Sequence, residues 1–177
     1  MELNVAQEKG TGFGSVEQLV QIAGTNPALS EMEFALVMAQ NAFSRWLVRC
    51  AAAVGAPGLT PLDVMVMHMA KHRGRAKTLA DMCLLLNIED THLVAYAIKK
   101  LERQGLVRSG KQGKEKTVEA TPKGSDVCTE FAEVRDKLLI EALETLGLDH
   151  NKVSELSDLL RALSGQYDQA ARTAASL

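Results

Sequence analysis

The stretch Leu101-Glu102-Arg103-Gln104-Gly105-Leu106-Val107-Arg108, running through Ser109-Gly110-Lys111-Gln112-Gly113-Lys114-Glu115-Lys116-Thr117-Val118-Glu119-Ala120 to Thr121-Pro122-Lys123-Gly124, decides the fold. It reads as the end of one helix, a charged hairpin and the start of another helix. Gly105 is the expected C-cap, because glycine enters the left-handed conformation without a Cβ penalty. Leu106 to Arg108 and Lys116 to Ala120 read as short paired strands, with Gly110 and Gly113 allowing a wide hairpin tip. Pro122 suits the first position of a helix, where its fixed φ helps and its missing N–H costs nothing.

Working upstream, the spacing predicts a helix over Thr91 to Gln104, capped by Asp90, with Val94, Ile98 and Leu101 as its buried row. Asn87-Ile88-Glu89-Asp90 is a turn. Before it, Thr78 with Asp81 caps a short helix carrying Leu79, Met82, Cys83 and Leu86. Thr60-Pro61 opens an earlier helix with Val64, Met67, Met69 and Ala70 facing inward, closed by the basic stretch Lys71 to Lys77. Helix, turn, helix and charged hairpin, in that order over residues 59–124, is the plan of a winged helix-turn-helix unit.

Outward from this unit the chain is helical. Residues 1–25 read as a flexible N-terminal arm, since glycines at 10, 12, 14 and 24 break any period. A long helix is expected from Asn26-Pro27 or from Ser30, where Ser30 and Glu33 can form a capping box. Its stripe is Met32, Leu36, Ala39, Phe43, Trp46, Leu47, Cys50 and Val54, and Gly55-Ala56-Pro57-Gly58 ends it. Downstream, Pro122 to Leu146 is a long amphipathic helix stopped by Gly147, and a last helix covers about Asn151 to Ala170. These outer helices carry more apolar surface than a small winged domain needs, which marks a subunit interface. The expected division is an arm (1–25), an N-terminal dimerisation helix (26–58), the winged domain (59–124) and C-terminal dimerisation helices (125–177). The fold class is mainly α with a small β-hairpin wing.

Charge separates the same segment from its flanks. Between Lys71 and Gly124 twelve basic residues face six acidic ones, a net +6, which leaves −8 for the rest of a chain whose total is −2. A basic middle between acidic flanks suits one surface turned toward a polyanion. The apolar runs, Leu59 to Met67 among them, are too short and interrupted to span a bilayer, so no membrane partner is expected. With no basic start followed by an apolar core, the expected compartment is the cytoplasm. Cys50, Cys83 and Cys128 are odd in number and widely spaced, which speaks against a disulfide framework or a zinc finger and for buried thiols.

The helix over Thr91 to Gln104 has the make-up of a groove-reading element. Thr91, His92 and Ala95 stand near its start, where side chains reach base edges and a thymine methyl. Tyr96, Lys99 and Lys100 lie further along, suited to phosphates. At the hairpin tip Lys111, Gln112, Lys114 and Lys116 sit among glycines, a pattern for backbone or minor-groove contact. Catalysis has no such support. His68 and His72 are one helical turn apart, but Met69 stands where a zinc protease carries glutamate and no third ligand is near. Gly113-Lys114 lacks the glycine spacing and following helix of a nucleotide loop. No enzyme activity, metal or cofactor is expected.

Three short motifs in order, Leu59-Thr60-Pro61, Leu101-Glu102-Arg103-Gln104-Gly105-Leu106-Val107 and Ala120-Thr121-Pro122-Lys123-Gly124, make the chain resemble the MarR-type winged helix-turn-helix regulators from roughly Ser30 to the C-terminus. The resemblance implies a homodimeric transcription regulator on double-stranded DNA, with Thr91, His92, Ala95, Tyr96 and Lys99 as recognition face and Lys111 to Lys116 as wing. It departs from the family at the wing, where Glu115-Lys116 is nearest to the usual Asp-Arg pair. The resemblance also suggests a small-molecule effector, for which Met65, Met67 and Met69 offer a cavity lining; core packing is the competing reading of those methionines. The competing function is a protein–protein interaction module that keeps the winged fold without reading DNA.

Overall fold

The computed structural model describes residues 26–113 and 115–177, so the arm expected over residues 1–25 lies outside the described residues. Among the described residues, six helices and three strands follow in order: α1 (Pro27–Ala53), α2 (Pro61–Lys71), a 3-10 turn (His72–Gly74), β1 (Lys77–Thr78), α3 (Leu79–Leu86), α4 (Thr91–Arg103), β2 (Val107–Gln112), β3 (Glu115–Ala120), α5 (Pro122–Thr145) and α6 (His150–Ala174). The mainly α class with a β wing is therefore observed.

Two compact units divide the chain, residues 1–46 and residues 47–177. The first is described by the N-terminal turns of α1. Asn26 accepts the Leu29 N–H at 3.2 Å, so the helix starts at Pro27 rather than at Ser30. The expected stripe is uneven: Met32 and Phe43 are exposed, whereas Leu47, Cys50 and Val54, in the second unit, are buried.

In the second unit the helix starts obey their caps. Thr60 with Asp63 and Thr78 with Asp81 each form a complete capping box, and Asp90 accepts the His92 N–H at 2.9 Å. Hydrogen bonds from the backbone and side chain of Thr78 hold the Asp81 carboxyl below the usual range. The end of α4 is a Schellman motif: Gly105 is left-handed, its N–H donates to Glu102 O, and Leu106 N–H donates to Leu101 O. Val64, Met67, Met82, Val94, Leu101 and Leu106 fill the core around which α2, α3 and α4 pack. Of the three methionines considered as cavity lining, Met67 is fully buried core while Met65 and Met69 are half-buried. Cys50, Cys83 and Cys128 are buried, unbridged thiols, and burial pushes Cys128 up to about 11, so it stays protonated.

The sheet is larger than a hairpin. Its order is β1-β3-β2, all antiparallel, because Lys77 and Thr78 pair with Val118 and Thr117. A two-residue strand has no period to reveal it. The wing strands also run further than expected, with Gln112 opposite Glu115, so the tip is narrow rather than wide.

Helix α5 is anchored at its start. The Thr121 N–H donates to Leu106 O at 3.0 Å, its hydroxyl donates to Gly105 O at 2.7 Å, and Lys123 Nζ donates to Gln104 O at 3.0 Å. Two of the three sequence motifs thus meet in space. Further along, the His68 ring of α2 stands edge-on to Phe131 of α5, with centroids 4.7 Å apart, and its Nε2 is buried without a partner among the described residues. Burial first, then the charges of Arg135 and Lys71, lower its pKa below 6.5. The native imidazole therefore takes up its proton at a lower pH than the unfolded one, which does so near pH 6.5. Stability is fully present above that pH and falls as the solution is acidified below it. Urea midpoints measured from pH 7.5 to 5 are expected to drop, and His68→Gln to drop less; equal slopes would sink this assignment.

Candidate nucleic-acid interface

Helix α4 is oriented by what it buries. Val94, Ala97, Ile98 and Leu101 face the core, so residues about half a turn away face outward. Thr91 and His92 are exposed at its first turn, Tyr96 is 66% exposed, and Lys99 is exposed. Ala95 is half-buried. The Asp90 carboxylate is turned onto the helix N-terminus, where the helix dipole favours it.

The structure brings the helix and the wing together at one point. Leu79, Ala95, Ile98, Lys99, Lys116 and Val118 line a cleft of about 130 Å³ between α3, α4 and β3. Lys99 from the helix and Lys116 from the wing therefore border the same opening. On the wing, Lys111 stands directly opposite Lys116 in the ladder. Like charges across a strand pair are unfavourable unless an anion lies against them. Gln112 is exposed beside them, and Lys114 lies outside the described residues.

Two expectations about charge need correction. Lys100 stands at the edge of the outward face, beside Tyr96, Arg103 and Gln104, but its ammonium is turned away: Nζ is 2.6 Å from Asp63 Oδ2, a carboxylate in a side chain only 3% exposed. The basic island is also smaller outside than its sum suggests. Lys77 is buried and donates to the carbonyls of His72 and Arg75 at 2.5 and 3.1 Å, with its pKa lowered by burial. Lys71 donates to Ser125 O and Thr129 Oγ1 on α5, whereas the Arg108–Glu119 pair, at 2.7 Å, is exposed and already balanced within the sum. Conversely, Arg103 belongs with the outward set, since it lines one exposed surface with Tyr96, Lys99 and Glu102. The sequence places it toward one edge of that face, four residues beyond Lys99 and one turn along. Glu102 itself accepts the Ser109 hydroxyl, joining the end of α4 to β2.

No group of three or more potential metal ligands occurs among the described residues. No helix there is long and apolar enough to cross a membrane.

Residues 59–124 match a family described as winged helix DNA-binding domain. Among solved structures, a MarR-family transcriptional regulator from Rhodococcus sp. RHA1 is 14% identical, with 77% of this chain and 94% of that one covered at a TM-score of 0.58. CouR from Rhodococcus jostii RHA1, bound to p-coumaroyl-CoA, is 15% identical over 75% of this chain and 90% of that one, at 0.60. NadR in complex with 4-hydroxyphenylacetate is 20% identical over 75% and 91%, at 0.61. At these identities the likeness is one of fold. Among curated proteins, none matches the chain.

Proposed function

We propose that this chain, which carries a winged helix DNA-binding domain in a fold shared with MarR-type regulators, is a homodimeric transcription regulator that reads duplex DNA with α4 and grips it with the wing. One observation carries the reading: the cross-strand lysines Lys111 and Lys116, the latter bordering the same cleft as Lys99, form a positive rim suited to a polyanion. The base-reading set is Thr91, His92 and Ala95; the phosphate set is Tyr96, Lys99, Arg103, Lys111, Gln112, Lys114 and Lys116. Dimerisation is supported by exposed apolar side chains on the outer helices, such as Phe34 and Met38 on α1 and Leu159 and Leu160 on α6. Two recognition helices related by a two-fold would enter major grooves about one turn apart on a palindromic site. CouR and NadR, whose structures hold p-coumaroyl-CoA and 4-hydroxyphenylacetate, support an effector of aromatic-acid type.

Binding to duplexes selected from a random pool tests this. The logarithm of the affinity is expected to fall linearly with the logarithm of salt, by roughly 0.9 per phosphate contact. Changing Lys111, Lys114 and Lys116 together to Ala is expected to flatten that slope, and 4-hydroxyphenylacetate to weaken binding. Undetectable duplex binding at low salt, or an unchanged slope in the triple variant, would sink the DNA reading of the wing.

A further inference from the structure

Lys99 and Lys100 are neighbours in sequence with opposite surroundings. Successive residues of a helix point about 100° apart. That rotation leaves Lys99 exposed and swings Lys100 back toward α2, where it meets Asp63. Asp63 is 2% exposed, and its Oδ2 accepts two donors: the Thr60 N–H at 2.7 Å, closing the capping box of α2, and Lys100 Nζ at 2.6 Å. One carboxylate oxygen thus fixes the start of α2 and holds a residue in the latter half of α4.

Helices α2 and α4 also bury aliphatic side chains in the shared core. Buried aliphatic side chains such as Val64, Met67, Val94 and Leu101 seat α4 on the core without directional bonds, so a directional bond near its outward face adds a restraint that this packing does not supply. A charge-assisted hydrogen bond to a buried acceptor is short and directional, and removing one partner leaves the other buried and unpaired. Buried polar pairs of this kind can fix register rather than add stability.

We propose that Asp63 and Lys100 are positioning residues for groove reading: the pair sets the rotation of α4 about its axis, so that Thr91, His92 and Ala95 meet base edges, while Lys100 makes no phosphate contact. This rests on the DNA reading above. It separates two adjacent lysines into different roles, Lys99 gripping the backbone and Lys100 aiming the helix.

The test compares binding to a pool-selected duplex with binding to a scrambled duplex of the same length, across a salt series, for the full-length protein. Lys99→Met is expected to lower the salt slope by roughly 0.9 and to keep the ratio of specific to scrambled affinity. Lys100→Met is expected to keep the slope and to lower that ratio roughly 10- to 100-fold, the size of one or two base contacts. Lys100→Arg, which retains the charge and the donors, is expected to restore most of the ratio. The double change Asp63→Asn with Lys100→Met leaves no unpaired charge, keeping the experiment informative if Lys100→Met fails to fold. Its ratio is expected to stay low, because direction is still missing. Recovery of the ratio in the double variant would reduce the pair to charge balance and overturn the proposal. A slope drop in Lys100→Met equal to that in Lys99→Met would also overturn it, making Lys100 a phosphate contact. Failure of the unmodified protein to bind any duplex would overturn the DNA reading itself, and this role with it.

Discussion

Gly124→Ala is expected to destabilise the protein by about 3 kcal/mol, the upper end for overpacking, since backbone rather than a flexible side chain is in the way. A Cβ built at Gly124 would lie 1.9 Å from Leu106 O and 2.9 Å from its carbonyl carbon. That carbonyl is already held by the Thr121 N–H at 3.0 Å, and the Gly124 N–H donates to Thr121 Oγ1 at 3.0 Å, so neither side can retreat without breaking the joint between β2 and α5. Gly165 is the internal control. It lies inside α6 with nothing within 4 Å of its added Cβ, so Gly165→Ala is expected to stabilise by about 0.7 kcal/mol through helix propensity alone. Urea unfolding of the two variants should shift the midpoint in opposite directions. A Gly124→Ala midpoint within error of the parent would show that the close approach is not needed.

Leu101→Ala is expected to cost about 3 kcal/mol and to abolish duplex binding at the same time. Leu101 is fully buried and ends the apolar row of α4, and its carbonyl accepts the Leu106 N–H that closes the Schellman motif. Truncation leaves a cavity under the recognition helix, which loses stability and the support that holds its outward face. Leu84→Ala makes the comparison, because Leu84 is 82% exposed on α3 and its truncation is expected to change stability by no more than about 0.5 kcal/mol. Thermal melts and duplex titrations of both variants check this. A stable Leu101→Ala protein that still binds would mean that the buried row is not needed to support the recognition helix.

Much of the fold was legible because the signals involved are local. Thr60 with Asp63, Thr78 with Asp81, Asp90 and Gly105 each act within four residues of themselves, and each did in the structure what its residue type dictates. The buried row Val94, Ile98 and Leu101 follows from helical period alone. The strand Lys77–Thr78 was not legible, since two residues have no alternation and its partner lies some forty positions away. The narrow wing tip was misread because glycines at 110 and 113 permit a wide loop as readily as extended strands.

The site divided along the same line. The sequence by itself determined that a helix starting at Thr91 and a lysine-bearing hairpin would be the outward elements, because capping, periodicity and charge are properties of neighbouring residues. Only the tertiary structure decided which positive charges remain on that surface. Lys100 is taken up by Asp63, thirty-seven positions earlier, and Lys77 by two backbone carbonyls; Arg108 stays exposed but is paired with Glu119 across the ladder, while Lys99, Arg103, Lys111 and Lys116 stay exposed. Net charge is a sum over residues, but the field a polyanion meets depends on where each charge points and what lies against it, and those are fixed only when distant segments pack.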